Sequence, residues 1–443
     1  MLLIWLGAVL TLAVGRSWRR TPGTGLVLAY VLNLWMIHWL APALYLLPWY
    51  HGFDQGIVEA GLEQSTYAAV AFASGSLVLT PFLLNFGILP RATAAVIDVK
   101  LPPAYVAIGA ASYALLSVGV GAIPSATAIV STGQQLIVIG LALCRWLAWR
   151  DGSLWKLILW LTFTCLLPFV TILTRGFIGY GAVAALTVLI FISGFIKPRF
   201  LVLIAATVVA YVGLSVFVTY MRDRPDIRET VWGGQPMQAR LSQLEKTITD
   251  FEWFDISRSE HLRQVDGRLN QSFLAGLAVS RLSDSGEYVR GDTLWEALVA
   301  LVPRAFWSDK PIQAGSGNMV TEYTGLKFVT GTSVGIGHVM EFYVNFGTLG
   351  VVLGFLGMGV LVTTLDVAAA ERLALNNLHG FVLWFLPGIS LLQVGGSLVE
   401  MTVSAVAGIA VAFLTNKYLE RLQGKQGDLR RVWLSPALVR SKT

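Results

Sequence analysis

Long uninterrupted apolar runs, rather than alternating ones, dominate the pattern of this chain. A helix needs roughly 20 largely apolar residues to cross the hydrocarbon core of a bilayer. Eleven stretches approach that requirement: 2–15, 25–48, 66–89, 103–122, 133–149, 154–173, 177–196, 200–219, 337–365, 379–395 and 398–416. The first is short. No basic segment precedes it and Arg16, Arg19 and Arg20 follow it, so it reads as an anchor with its N-terminus outside, not as a cleavable leader. The pattern predicts an all-α multi-pass membrane protein with about 11 transmembrane helices. It divides into an N-terminal bundle of eight spans (1–219), a large hydrophilic loop (220–333), a three-span bundle (334–416) and a basic tail (417–443).

Composition sharpens this picture. Hydrophobic residues make up 55% of the chain and charged residues 13%, against about a quarter in soluble domains, with a mean hydropathy of +0.66. A soluble metalloenzyme or a nucleic-acid binder is excluded, although the net charge of +6 resembles the latter until the charges are mapped. Alternate short loops and the tail hold eighteen Lys and Arg, whereas the opposite short loops hold Arg175 alone. Basic residues in short loops mark the cytoplasmic side, and long loops do not vote. The expected orientation is therefore N-terminus out and C-terminus in, with 220–333 outside.

Within that loop, the stretch from Leu241 to Leu262 is amphipathic, with Trp253 and Phe254 among charges. It reads either as a helix in the membrane interface or as one packed on the spans. The apolar segments 269–282 and 292–306 are too short to cross and read as re-entrant or interfacial helices.

Candidate chemistry gathers in three places. Arg175 lies in a break between two apolar runs, followed by Gly176. An arginine at a membrane boundary is costly unless it snorkels or meets an anion, and its fork matches phosphate oxygens. Pro303 and Pro311 bracket Arg304, Trp307, Asp309 and Lys310, with a Gly/Ser/Thr-rich segment beyond that reads as a phosphate cradle or as a flexible loop. His338, Glu341 and Asn345 share one helical face, where Glu341 is either a general base or one half of a structural salt bridge. The same segment carries Gly347, Gly350, Gly354 and Gly357, which suits close helix packing. Arg222, Arg224, Arg281 and Arg290 are further candidates. Cys144 and Cys165 form no disulfide framework, and no His/Cys cluster has metal-ligand spacing.

Taken together, the chain resembles the oligosaccharide repeat-unit polymerases of bacterial surface polysaccharide pathways (O-antigen or Wzy-type polymerases). The resemblance rests on many spans with one large late loop, on Pro-Arg-x-x-Trp-x-x-Lys-Pro at 303–311, on Glu341-Phe-Tyr-x-Asn-Phe-Gly347, and on Thr174-Arg175-Gly176 between two spans. It implies a GT-C-like fold in the bacterial inner membrane and metal-independent glycosyl transfer without a cofactor. The substrate would be an undecaprenyl-pyrophosphate-linked oligosaccharide, and a flippase and a chain-length regulator would be partners. Arg175 and Arg304, helped by Arg281 and Lys310, would hold the pyrophosphate. Glu341 and His338 would be catalytic, and Trp307, Tyr323, Tyr343 and Asn345 would contact the acceptor sugar. O-antigen ligases look similar and use a loop histidine, for which His261 is the candidate within 220–333. A lipid-linked oligosaccharide flippase or other transporter is the rival from another class.

Overall fold

The computed structural model describes the whole chain except residues 20, 88, 118–123, 195–198, 303–306, 308–315, 329–333 and 434–443. The described residues form helices and no strands. In chain order these are α1 (Leu2–Trp18), α2 (Leu26–His38), α3 (Leu40–Leu44), α4 (Gln55–Ser74), which a π-turn at Gly75–Leu79 joins to α5 (Thr80–Leu84), α6 (Leu101–Ser117), α7 (Pro124–Gly133), α8 (Leu136–Arg150), α9 (Leu154–Arg175) and α10 (Gly179–Ser193). There follow α11 (Arg199–Trp232), α12 (Met237–Thr249), α13 (Ser259–Leu269), α14 (Gln271–Ser285), α15 (Asp292–Ala300), α16 (Ser316–Thr324), α17 (His338–Ala374), α18 (Leu378–Ser390) and α19 (Leu398–Trp433).

Each of the eleven apolar stretches contains a helix, but only six helices among the described residues have the length and apolarity to cross a membrane. These are Gln55–Leu84, Thr127–Arg150, Leu154–Arg175, Ile204–Trp232, His338–Ala374 and Leu398–Leu422. The helices α1, α2, α6, α10 and α18 are apolar but stop short, and α2 shows why. Its 13 residues, about 20 Å at 1.5 Å per residue, end at His38 ahead of Pro42 rather than running to residue 48. Conversely, α4 starts at Gln55, well before residue 66, because Asp54 caps it by accepting from the Ile57 N–H at 3.1 Å. The charged run after 219 is not loop either, since α11 carries it as helix to Trp232.

The helix ends sort into two levels. At a basic end, Arg16 of α1 is buried and meets Asp366 of α17 at 2.5 Å, while the other Asp366 oxygen accepts from the Thr24 N–H and hydroxyl, both at 2.7 Å. Arg150 reaches Asn376 there at 2.8 Å, and Arg372 reaches the Pro90 carbonyl at 3.0 Å. Exposed Trp18, Trp149 and Trp155 ring this end. Exposed Trp49, Trp232 and Trp253 mark the opposite level, as expected of aromatic belts at two interfaces.

Helix α4 is the hub, fastened by two reciprocal glycine contacts. A Cβ on Gly61 would stand 1.8 Å from the Ser272 carbonyl oxygen of α14, and one on Gly276 of α14 would stand 1.8 Å from that of Ile57. Farther along, Gly75 meets the Leu356 carbonyl of α17 and Gly359 meets that of Phe72, at 2.2 and 2.3 Å in the same sense. Such backbone-to-backbone approach is what small residues allow between membrane helices. Of the glycines expected to serve this purpose, Gly350 and Gly354 do so within one folded helix, and Gly347 and Gly357 do not. Gly347 breaks α17, with φ of 62° beside a non-helical Phe346, and the limb from His338 to Asn345 doubles back along the rest of the helix. Gly350 and Gly354 make room for Phe342 of that limb, and Gly357 has no neighbour within 4 Å of a Cβ position.

The helices α18 and α19 form an antiparallel hairpin, with His379 beside Asn416 at 3.0 Å and Ser390 donating to the Ser404 carbonyl at 3.1 Å. Its turn, 391–397, abuts the start of the doubled-back limb, where the His338 N–H donates to the Val394 carbonyl at 3.0 Å. The amphipathic segment packs on the spans, the second of its two sequence readings. Leu244 of α12 is buried against Ile172, Ile227 and Val231, while Met237, Leu241 and Ile248 face outward. The apolar segment 292–306 contributes α15, which lies against α19 with Trp295 and Leu298 exposed.

Candidate functional site

Arginines without acids meet where α9 ends against α11. Gly176 closes α9 in the left-handed region (φ 71°), which a glycine adopts without steric cost, and its carbonyl accepts from the Tyr220 hydroxyl at 2.9 Å. Trp232 Nε1 donates to the Arg175 carbonyl at 3.1 Å, so the last turn of α11 is tied to this corner. The Arg175 guanidinium donates to Gln134 Oε1 at 2.9 Å and lies 4.2 Å over the Tyr113 ring and 5.9 Å from that of Tyr180. Arg228 lies 4.5 Å over Phe177 and 4.7 Å over Trp232, with its side chain against Gly176. Arg224 sits one turn earlier on α11, and Arg268 of α13 completes the group. Burial first, then the positive charges of Arg224 and Arg228, hold the Arg268 pKa below its usual value.

None of these four arginines has a carboxylate within salt-bridge distance among the described residues. Their neighbours do: Arg222 pairs with Asp223 at 2.7 Å and Glu252 at 2.6 Å, and Arg258 pairs with Glu252 at 3.3 Å. Asp266, two residues from Arg268, is spent elsewhere. It accepts from Tyr45 at 2.9 Å, Tyr50 at 2.6 Å and Asn270 at 2.7 Å. A cation group with aromatic walls and no paired acid can receive an anion from outside the chain.

Of the residues selected from sequence, Arg175 and Arg224 are in this group. Arg304 and Lys310 lie outside the described residues, as does most of the Gly/Ser/Thr-rich segment, while Trp307 is exposed. Arg281 is exposed on α14, beside Gly325. Tyr323 is half-buried on α16, and burial followed by the charges of Glu322 and Glu296 pushes its hydroxyl up to about 12. Tyr343 is buried edge-on to Tyr288, with ring centres 6.0 Å apart.

His338, Glu341 and Asn345 do share a face, yet that face is turned into the bundle, and all three are fully buried. One Glu341 carboxylate oxygen accepts from the Leu398 N–H at 2.7 Å and so caps the start of α19. No arginine pairs with it among the described residues. Asn345 is a latch. Its amide donates to the Thr293 hydroxyl and the Glu341 carbonyl, both at 2.7 Å, and its Oδ1 accepts from the Gly291 N–H at 3.0 Å. That ties the break in α17 to the turn before α15.

His261 is occupied as well. Its Nδ1 accepts from the Asp255 N–H at 3.1 Å, so Nε2 carries the proton and donates to Glu252 at 3.0 Å. With Arg222 and Arg258 on the same carboxylate, this knot holds the turn between α12 and α13. Hydrogen bonds from Arg222 and His261 lower the Glu252 pKa against a smaller opposing effect of burial. Among the described residues no group of three or more His, Cys, Asp or Glu is placed to hold a metal ion.

Sequence reasoning missed Arg228 and Arg268. A signal for Arg228 existed, since Arg224 and Arg228 are four apart, which stacks like charges if the charged run is helical. Reading that run as the beginning of a loop concealed it. A family model described as a domain of unknown function (DUF8712) matches residues 76–412, most of the chain, and the protein belongs to that family. The matched region includes the arginine junction and the broken helices. No curated protein and no solved structure matches the chain.

Proposed function

We propose that the protein is a glycosyltransferase that joins lipid-diphosphate-linked oligosaccharide units at the membrane surface, as a repeat-unit polymerase does. The observation that carries this reading is the set of Arg175, Arg224, Arg228 and Arg268, four cations without a salt-bridged carboxylate among the described residues, at the level of an exposed tryptophan belt. A diphosphate on a lipid sits at that depth, and fixed guanidinium groups stabilise the charge that develops as it departs. The bond from the anomeric carbon to the diphosphate oxygen breaks, an acceptor sugar hydroxyl bonds to that carbon, and the hydroxyl proton goes to the leaving diphosphate.

In this reading the junction faces the outside of a bacterial inner membrane, and the end bearing Arg16, Arg150 and Arg372 faces the cytoplasm, as the basic-residue rule favours. The helices then make a GT-C-like arrangement of up to eleven crossings, and a flippase supplies the substrate. Glu341 and His338 hold the broken helices together rather than touching the reacting atoms, because both are buried inside the bundle. The engagement of both His261 nitrogens weighs against the ligase reading.

Transport of the same lipid-linked oligosaccharide is the second reading. The breaks at Phe346–Gly347 and 391–397, with polar side chains buried beside them, favour it, because discontinuous helices line transporter sites. One experiment separates the two. Purified protein is supplied with lipid-linked repeat units in detergent and the products are resolved by size. A ladder supports the polymerase, and a single transfer to a lipid A acceptor supports a ligase. No new bond, with movement of the lipid across proteoliposomes, supports transport.

A further inference from the structure

Four buried polar atoms lie in the region where the helices break, and none has a hydrogen-bond partner: His38 Nε2, Gln64 Oε1, Gln271 Oε1 and His338 Nε2. They come from α2, α4, α14 and α17. Short contacts bind these elements together. His38 Nδ1 is 3.2 Å from the Ser272 hydroxyl, and Ser272 touches Gly61, one turn from Gln64. The Gln271 amide donates to the Gly335 carbonyl at 3.4 Å and the Gly395 carbonyl at 3.3 Å. Gln271, the neighbour of Ser272, has its Oε1 against Gly337, the neighbour of His338, which brings both histidines to one region. Natural interiors rarely leave such groups unpaired, and ordered water is the usual partner.

Counting hydrogens fixes what His38 offers. Ser272 has one hydroxyl proton, which it donates to the His38 carbonyl at 3.0 Å. Toward His38 Nδ1 it can therefore only accept, so Nδ1 carries the ring proton and Nε2 presents a lone pair. Tyr30 has His338 Nδ1 as its hydrogen-bond partner, at 3.0 Å. With the tyrosine donating, His338 carries its proton on Nε2. One histidine thus offers a donor and the other an acceptor, and the two glutamine oxygens beside them are acceptors.

We propose that this region encloses bound water, with one molecule accepting from His338 Nε2 and donating to His38 Nε2 and a glutamine oxygen. Three hydrogen bonds are the usual complement of an internal water. A metal cation suits the site less well, because the N-termini of α17 and α19 both start here with their positive ends. The result is a single chain of donors running Tyr30, His338, water, His38, Ser272. It joins the doubled-back limb of α17 to α2 and α14. This proposal does not depend on the enzymatic reading.

Pulsed X-ray radiolysis of the full-length protein in nanodiscs, read by mass spectrometry, tests it, because hydroxyl radicals form from water held against a side chain. Tyr105 is the control. It is equally buried, and its hydroxyl already contacts His379 at 3.0 Å and Asn416 at 2.8 Å. Tyr30 and His338 should be oxidised several-fold faster than Tyr105, and should keep ordinary oxygen after brief mixing with H₂¹⁸O. In Gln64→Leu the rate at His338 should fall toward that of Tyr105. Wild-type rates equal to that of Tyr105 would show a dry site and overturn the proposal. Immediate ¹⁸O incorporation would also overturn it, by showing an open channel to bulk water.

Discussion

Two regions that the sequence suggested as parts of one site behave as opposites. The arginine junction is a surplus of charge held at a boundary, where side chains stack on rings and no acid answers them. The helix break around His338 and Glu341 is a shortage of partners held in the interior, where neutral and acidic groups are fully covered. On the proposed function the first meets a ligand that arrives, whereas the second holds helices together. Chemical type alone does not separate a reacting group from a structural one. Depth and the identity of the nearest partner do.

The sharpest way to break this comparison is to exchange the roles. Arg228→Ala and Arg175→Ala should each cut product formation about 100-fold or more, the scale seen when a preorganised stabilising group is removed. Arg→Lys should already impair turnover, since lysine keeps the charge but loses the fork. Polymer of normal length and rate from both alanine variants, checked by gel, would make these structural arginines. Glu341→Gln, by contrast, keeps an acceptor for the Leu398 N–H and should leave turnover within a few-fold of wild type. A loss as deep as that of Arg228→Ala would place Glu341 among the reacting groups instead.

Smaller effects sharpen the structural side. Gly276→Ala puts a methyl 1.8 Å from the Ile57 carbonyl and should destabilise the protein by about 1–3 kcal/mol through overpacking. Thermal unfolding in detergent reads this as a lowered Tm, with Gly357→Ala as the silent control. The smallest effect concerns Glu252, whose pKa is lowered in the folded protein by hydrogen bonds from Arg222 and His261. Its contribution is complete above the ordinary carboxylate range and disappears as pH falls through the lowered folded value. Stability measured from pH 7 downward should therefore decline less steeply in Glu252→Gln than in the wild type.

What could be read from the sequence follows from what lipid demands. Continuous apolar runs had to be helices, since no other open structure satisfies the backbone in hydrocarbon, and all eleven runs contain one. Ends and breaks were harder. The start of α4 among Glu59, Glu63 and Gln64 looks like loop because its polar residues face the α14 contact or the outside, which no window of hydropathy resolves. Gly347 looked like one more packing glycine, although it reverses the chain. Arg175 was legible because it stood alone among short loops. Arg268 was not, because only the fold of α13 against α11 brings it near Arg228.

The reversal at Gly347 has a consequence for biogenesis. A straight helix of 37 residues would extend about 55 Å, well beyond a bilayer's apolar thickness of roughly 30 Å. Folding back removes the excess, but the limb from His338 to Asn345 is completed by chain synthesised later. The His338 N–H finds its acceptor on Val394, and Glu341 finds its donor on Leu398. As the polypeptide leaves the ribosome, α17 therefore enters the membrane before the limb has anything to grip, and the limb can settle only when the α18–α19 hairpin follows. The later hairpin thus closes a limb laid down before it.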